Sequence, residues 1–214
     1  EQGQWEKCLS VTDSILENKP KDKLFDQLRF IVGDSFFRLN KWEDSTLLLK
    51  EFVDSNSSDE GINKVANLDT ALMQLSVAHE RLGDIEKSMS NLSLLVAKYD
   101  DGTRHLPLAL AEQGRIAYES GDLKTARSAL ERFIEEDQKE GEVFQGKAPS
   151  QRPRVMYYLG WVDATEGKHE AASSNFGKVI ELDPEHSLAS DSALQKGVAL
   201  LNLEKFKESS QHLT

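Results

Sequence analysis

A small residue followed twelve positions later by another recurs along the chain: Gly33 and Ser45, Ser76 and Ser88, Gly114 and Ala126, Gly160 and Ala172, Gly197 and Ser209. Around the second member a bulky residue stands three before (Trp42, Ile85, Leu123 and Phe206, with His169 in the fourth copy). Another stands four after (Leu49, Leu92, Leu130, Phe176, Leu213), and in four copies an apolar residue lies seven after (Phe52, Leu95, Phe133, Val179). Offsets of three, four and seven place these side chains on one helix face, so each second member sits on a helix with a single apolar stripe. The first member, lacking bulk, belongs to a preceding helix that must approach closely. Each copy is therefore predicted to be a helical hairpin.

The turn between the two helices carries Asn40, Gly83, Gly121 or Gly167, residues suited to the left-handed conformation that ends a helix. Glu204 in the last copy departs from this rule. The template also fits the start of the chain, where Gly3, Trp5, Cys8, Thr12, Ile15 and Pro20 fill its positions, and the last copy reaches Thr214 one residue past Leu213. Both edges thus read as lying within a longer array.

This pattern resembles the tetratricopeptide repeat (TPR), with a small residue in each helix, bulky residues flanking it and a closing proline. The matching stretches are Tyr158-Leu159-Gly160, Gly167-Lys168-His169-Glu170-Ala171-Ala172, Phe176 and Leu182-Asp183-Pro184. Five and a half copies in phase cover nearly the whole chain, and a fixed period is the mark of a repeat architecture. The resemblance implies an all-α fold, a right-handed α-α superhelix of about five hairpins plus a partial N-terminal repeat. Its segments would be 1–20 (second helix of the partial repeat), 22–55, 62–99, 105–137, 151–183 and 187–214, with an inserted loop over 138–150.

Successive second-helix residues, Ser45, Ser88, Ala126, Ala172 and Ser209, are spaced more widely than the roughly 34 residues of the family. The spacing inside each hairpin stays at twelve, so the additions fall between hairpins. Such lengthened repeats, with Val53-Asp54-Ser55 and Lys98-Tyr99-Asp100 near the junctions, are similar to TPR proteins of bacterial cell envelopes, including those of outer-membrane assembly and the Tol-Pal system. That resemblance implies periplasm or cell envelope, with the cytoplasm as the alternative.

Composition narrows the partners. The 214 residues are 38% hydrophobic and 29% charged with five prolines, which suits a helical chain, and no apolar stretch approaches the roughly 20 residues that span a bilayer. The net charge of −11, with no local cluster of Lys and Arg, repels phosphate backbones and argues against nucleic acid. The single cysteine, Cys8, cannot pair within the chain and occupies a small packing position.

Catalytic chemistry is not written in the motifs. His79, His105, His169, His186 and His212 show no HExxH spacing, and GxxxxGK, GxSxG and GxGxxG are absent. The carboxylate pairs Asp100-Asp101 and Glu135-Glu136 fall at helix ends or turns, where solvated charge is the ordinary state. No catalytic residue, metal site or cofactor is expected.

In the TPR family the first helix of each hairpin lines the concave surface. Residues three before, one after and four after its small residue share a face: Phe30, Asp34, Phe37; Met73, Val77, Glu80; Ala111, Arg115, Tyr118; Tyr157, Trp161, Ala164; and Leu194, Val198, Leu201. Either packing buries this apolar face, or it is a ligand groove. A groove would be lined by Phe30, Asp34, Met73 and Glu80, anchored by Phe37, Tyr118, Tyr157 and Trp161, and clamped by Arg115 and Arg154, aromatic and Arg side chains being enriched at binding hot spots. The Lys and Asn residues with which some TPR adaptors clamp an acidic C-terminus are missing here. The 138–150 insertion is either a connector or a loop that brings Phe144 and Arg152 to the groove edge.

The expected activity is a noncatalytic interaction module or scaffold that binds a peptide or protein segment on its concave face, without membrane insertion by this segment. The alternatives are a self-assembling scaffold, with another copy covering the incomplete ends, and a regulatory array fused to a catalytic domain elsewhere.

Overall fold

The computed structural model describes residues 23–56, 65–99, 103–139 and 150–211, and all regular structure among them is helical. The expected partial repeat over 1–20, Cys8, Phe144 and most of the 138–150 insertion lie outside the described residues. The helices are α1 (Lys23–Arg38), α2 (Trp42–Asn56), α3 (Leu68–Arg81), α4 (Ile85–Lys98), α5 (Leu106–Glu119), α6 (Leu123–Gln138), α7 (Arg152–Thr165), α8 (His169–Leu182), α9 (Ala189–Asn202) and α10 (Phe206–Ser210). They pair in sequence as five antiparallel hairpins.

The chain divides into two compact units, Glu1–Asp100 and Asp101–Thr214. In the first, α1 packs on α2, α2 on α3 and α3 on α4, with a further contact between α1 and α3. In the second, α5 to α10 pack successively, and α5 also meets α7. Each unit thus alternates contacts within a hairpin with contacts to the next hairpin, the arrangement by which repeats bury a stripe that none could bury alone.

All five turns close in the same way. The first residue past each turn donates its N–H to a carbonyl five positions back: Lys41 to Phe36, Asp84 to His79, Asp122 to Ala117, Lys168 to Asp163 and Lys205 to Leu200, at 2.8–2.9 Å. This is the Schellman closure, which requires positive φ at the turn residue. Asn40, Gly83, Gly121 and Gly167 supply it, and so does Glu204, at φ 59°. The apparent exception in the sequence is therefore no exception in backbone geometry. In two hairpins the next residue also caps the second helix, as Asp84 accepts from the Lys87 N–H and Asp122 from the Thr125 N–H. Each such cap satisfies a backbone N–H that the first turn of the helix leaves without a partner.

The twelve-residue offset has a hydrogen-bonding meaning. The Ser45 hydroxyl donates to the Gly33 carbonyl at 3.0 Å, the Ser209 hydroxyl to the Gly197 carbonyl at 2.8 Å, and the Ser76 and Ser88 hydroxyls meet at 3.0 Å. The bulky residue four further on then lies over the first helix. Leu49, Leu92, Leu130 and Phe176 are all fully buried and, with Phe52, Leu95, Phe133 and Val179, make up the core stripe.

Candidate functional site

The second unit gathers five of the expected site residues. Pro107 and Pro153 occupy the first turns of α5 and α7, where a missing N–H costs nothing. From these helices α5 projects Arg115 and Tyr118, and α7 projects Arg154, Tyr157 and Trp161. The rings form a connected group: Tyr118 lies 6.4 Å from Trp161 and 6.0 Å from Tyr158, and Tyr157 meets Trp161 edge to face at 6.3 Å. Beneath them, Phe176 of α8 receives Trp161 at 5.7 Å and Tyr157 at 6.0 Å, both edge to face. Tyr157 and Trp161 are thus half-buried, standing on a core of Ala172, Phe176 and Ala199. Their inner edges serve packing while their outer parts stay accessible.

Charges frame these rings. Glu112, one turn before Arg115, accepts from Arg115 Nε at 2.7 Å and pairs with Arg154 Nη1 at 2.6 Å. Arg115 Nη1 also reaches Glu119 at 2.7 Å, and the Tyr158 hydroxyl donates to the same carboxylate at 3.1 Å. Burial and the neighbouring Glu119 push the Tyr158 phenol up to about 12. Both guanidinium groups are therefore matched by carboxylates of α5. On α9, Asp191 accepts from the Tyr157 hydroxyl at 2.7 Å and from Gln195 Nε2 at 3.3 Å. Burial first, and then Asp191, raises the Tyr157 pKa, so both phenols stay protonated near neutral pH.

The first unit holds the other five expected residues, four of them half-buried and one, Met73, buried. Phe30 packs on Phe52 at 5.4 Å, and Phe37 meets Trp42 edge to face at 5.3 Å. Asp34 accepts from Arg38 at 2.8 Å and from Gln74 at 2.5 Å, while Glu80 is half-buried. Met73 is only 5% exposed and belongs to the core, not to an accessible face. Its helix, α3, is packed by α1, α2 and α4.

Glu112, Tyr158 and Asp191 were not among the expected site residues. Glu112 carried a local signal, since Glu112, Arg115 and Glu119 are spaced three and four apart on one helix. Asp191 precedes Gly197 by six residues, as Arg154 precedes Gly160, so repeat phase alone would have found it. Arg152, considered for the groove edge, forms a two-pronged pair with Asp137 at 2.6 and 2.9 Å, which joins the end of α6 to the start of α7.

The hairpin that carries Tyr157 and Trp161 matches the tetratricopeptide repeat family model over residues 153–186. This segment is a tetratricopeptide repeat. No curated protein matches the sequence, but solved tetratricopeptide-like folds do match the structure. A crystal structure of the MamA protein aligns with a TM-score of 0.68 at 16% identity, covering 87% of each chain. MamA of Desulfovibrio magneticus RS-1, from residue 41 to its end, gives 0.62 at 19% identity, over 87% of this chain and 90% of that one. The pilF protein of Pseudomonas aeruginosa gives 0.60 at 16% identity, over 87% and 72%. These likenesses establish the tetratricopeptide fold, an architecture whose extended surfaces serve as scaffolds for protein interaction. Among the described residues no three His, Cys, Asp or Glu side chains cluster as a metal site requires, and no helix is long and apolar enough to cross a membrane.

Proposed function

We propose that this chain is a noncatalytic interaction module that holds a protein or peptide segment against the face formed by Arg115, Tyr118, Arg154, Tyr157 and Trp161. The observation that carries this reading is the half-buried aromatic group itself. Its rings are fixed from below by Phe176 and from the sides by hydrogen-bonded carboxylates, yet they stay open on one side. Rigid, partly desolvated aromatic side chains bind at low entropic cost.

Three such anchors, each burying a ligand side chain at roughly 2 kcal/mol, yield a gross gain near 6 kcal/mol. Ordering of the ligand reduces this. Backbone hydrogen bonds would have to add to it to reach about micromolar affinity, so binding is modest and exchangeable. The test is affinity capture from cell lysate and envelope fractions with the wild-type chain beside Tyr118→Ala and Arg154→Ala variants matched for helical content by circular dichroism. Selective loss of one or more captured proteins by folded variants supports the reading. An identical captured set for all three chains rejects it.

A further inference from the structure

We infer that α9 extends this face into a seam for one particular kind of partner, an amphipathic helix bearing a lysine or arginine at one end of its apolar stripe; the inference rests on the interaction face proposed above. Leu194, Val198 and Leu201 are 47%, 40% and 46% exposed. Together with Asp191 they are spaced three, four and three apart, the interval at which one helix presents a continuous seam to another. That seam is about 15 Å long at 1.5 Å per residue, or three turns of a partner helix.

The charge pattern selects the partner. Asp191 stands at the head of the seam, and its hydrogen bonds come from two neutral donors, Tyr157 and Gln195. Among the described residues no cation pairs with it, whereas Glu112 and Glu119 each face an arginine. A carboxylate held in place by a half-buried tyrosine and left without a counter-charge, next to three exposed aliphatic side chains, is complementary to a cation followed by apolar residues. The chain's net charge of −11 favours approach of the same class of partner. Trp161 lies on the neighbouring hairpin, beside Tyr157, and is positioned to flank the bound helix.

The probe is a fluorescein-labelled synthetic peptide with leucines at heptad spacing over three turns and one lysine at an end of the leucine stripe. A second peptide carries glutamate in place of that lysine. Fluorescence anisotropy with the whole chain is expected to show the lysine peptide binding at least about tenfold more tightly than the glutamate peptide. Asp191→Asn, which keeps an acceptor for Tyr157, is expected to abolish that preference, and Asp191→Lys to reverse it. Equal affinity for the two peptides overturns the inference, as does undiminished binding by a folded Val198→Ser variant. So does a sedimentation result in which the chain is a dimer that Val198→Ser dissociates, since the seam then belongs to a second copy. If Tyr118→Ala loses captured proteins while Asp191→Asn leaves peptide preference intact, the interaction face stands and only this assignment falls.

Discussion

Leu130 fills the space that a side chain on Gly114 would need: a Cβ at Gly114 would lie 2.5 Å from both its Cγ and its Cδ2. The same relation joins Gly33 to Leu49 at 2.8 Å and Gly160 to Phe176 at 2.9 Å. In each case the partner lies sixteen residues on and is essentially fully buried, so it has nowhere to retreat.

Gly114→Ala is therefore expected to destabilise despite alanine's better helix propensity. Overpacking costs about 1–3 kcal/mol, against roughly 1 kcal/mol gained from propensity. Trimming the partner should reverse part of the loss, so Gly114→Ala with Leu130→Val is expected to be more stable than the sum of the two single effects. Urea unfolding of the four chains measures this coupling. Strict additivity would mean that the two residues do not compete for space.

Glu204 holds φ 59° at a turn where the equivalent residues of other hairpins are glycine or Asn40. A side chain with a Cβ pays roughly 1–2 kcal/mol there, and asparagine pays less. Glu204→Gly is expected to stabilise the terminal hairpin by about 1 kcal/mol, while Asn40→Gly changes little. Hydrogen exchange of the α9 and α10 amides reports the gain locally, which matters because repeat arrays need not unfold as one unit. Unchanged protection in Glu204→Gly would show that this turn is not strained.

The contacts legible in the sequence are those that repeat within a hairpin. An offset of twelve becomes a hydroxyl bonded to a carbonyl, as from Ser45 to Gly33, and an offset of sixteen becomes the closest packing, as between Gly114 and Leu130. Contacts between hairpins were not legible, because nothing local marks which side chains they join. Glu112 with Arg154 and Arg127 with Asp163 are each held together by the stacking of one hairpin on the next. Burial of Met73 escaped for a related reason: a periodic pattern identifies the face of a helix but not how deeply that face is covered.

The Arg127 pair links α6 to α7. Asp163 is 3% exposed, accepts from Arg127 Nη2 at 2.6 Å and from Asn175 Nδ2 at 2.8 Å, and has no other charged partner among the described residues. Arg127→Ala strands a buried carboxylate and is expected to cost about 3–5 kcal/mol. Asp163→Asn, added to that variant, removes the stranded charge and should restore part of the loss. Thermal unfolding monitored by circular dichroism separates the outcomes, and a double variant less stable than Arg127→Ala would exclude electrostatic pairing as the origin of the cost.

His79 is 9% exposed and borders a cavity of ≈ 340 Å³ shared with Lys50, Asp54 and Lys87. Burial lowers its pKa, more than Asp84 raises it, and Lys87 lowers it further. The folded state thus binds the proton later than the unfolded state, whose imidazole titrates near 6.5. As pH falls through about 6.5 the unfolded chain takes up the proton first, and stability declines until the folded-state pKa is passed, after which this contribution is constant. His79→Gln is expected to flatten the stability profile just below about pH 6.5, where the unfolded imidazole titrates, while the slope at lower pH, where carboxylates titrate, stays. Urea midpoints across that range measure it, and an identical slope in both chains would show that His79 is not the group responsible.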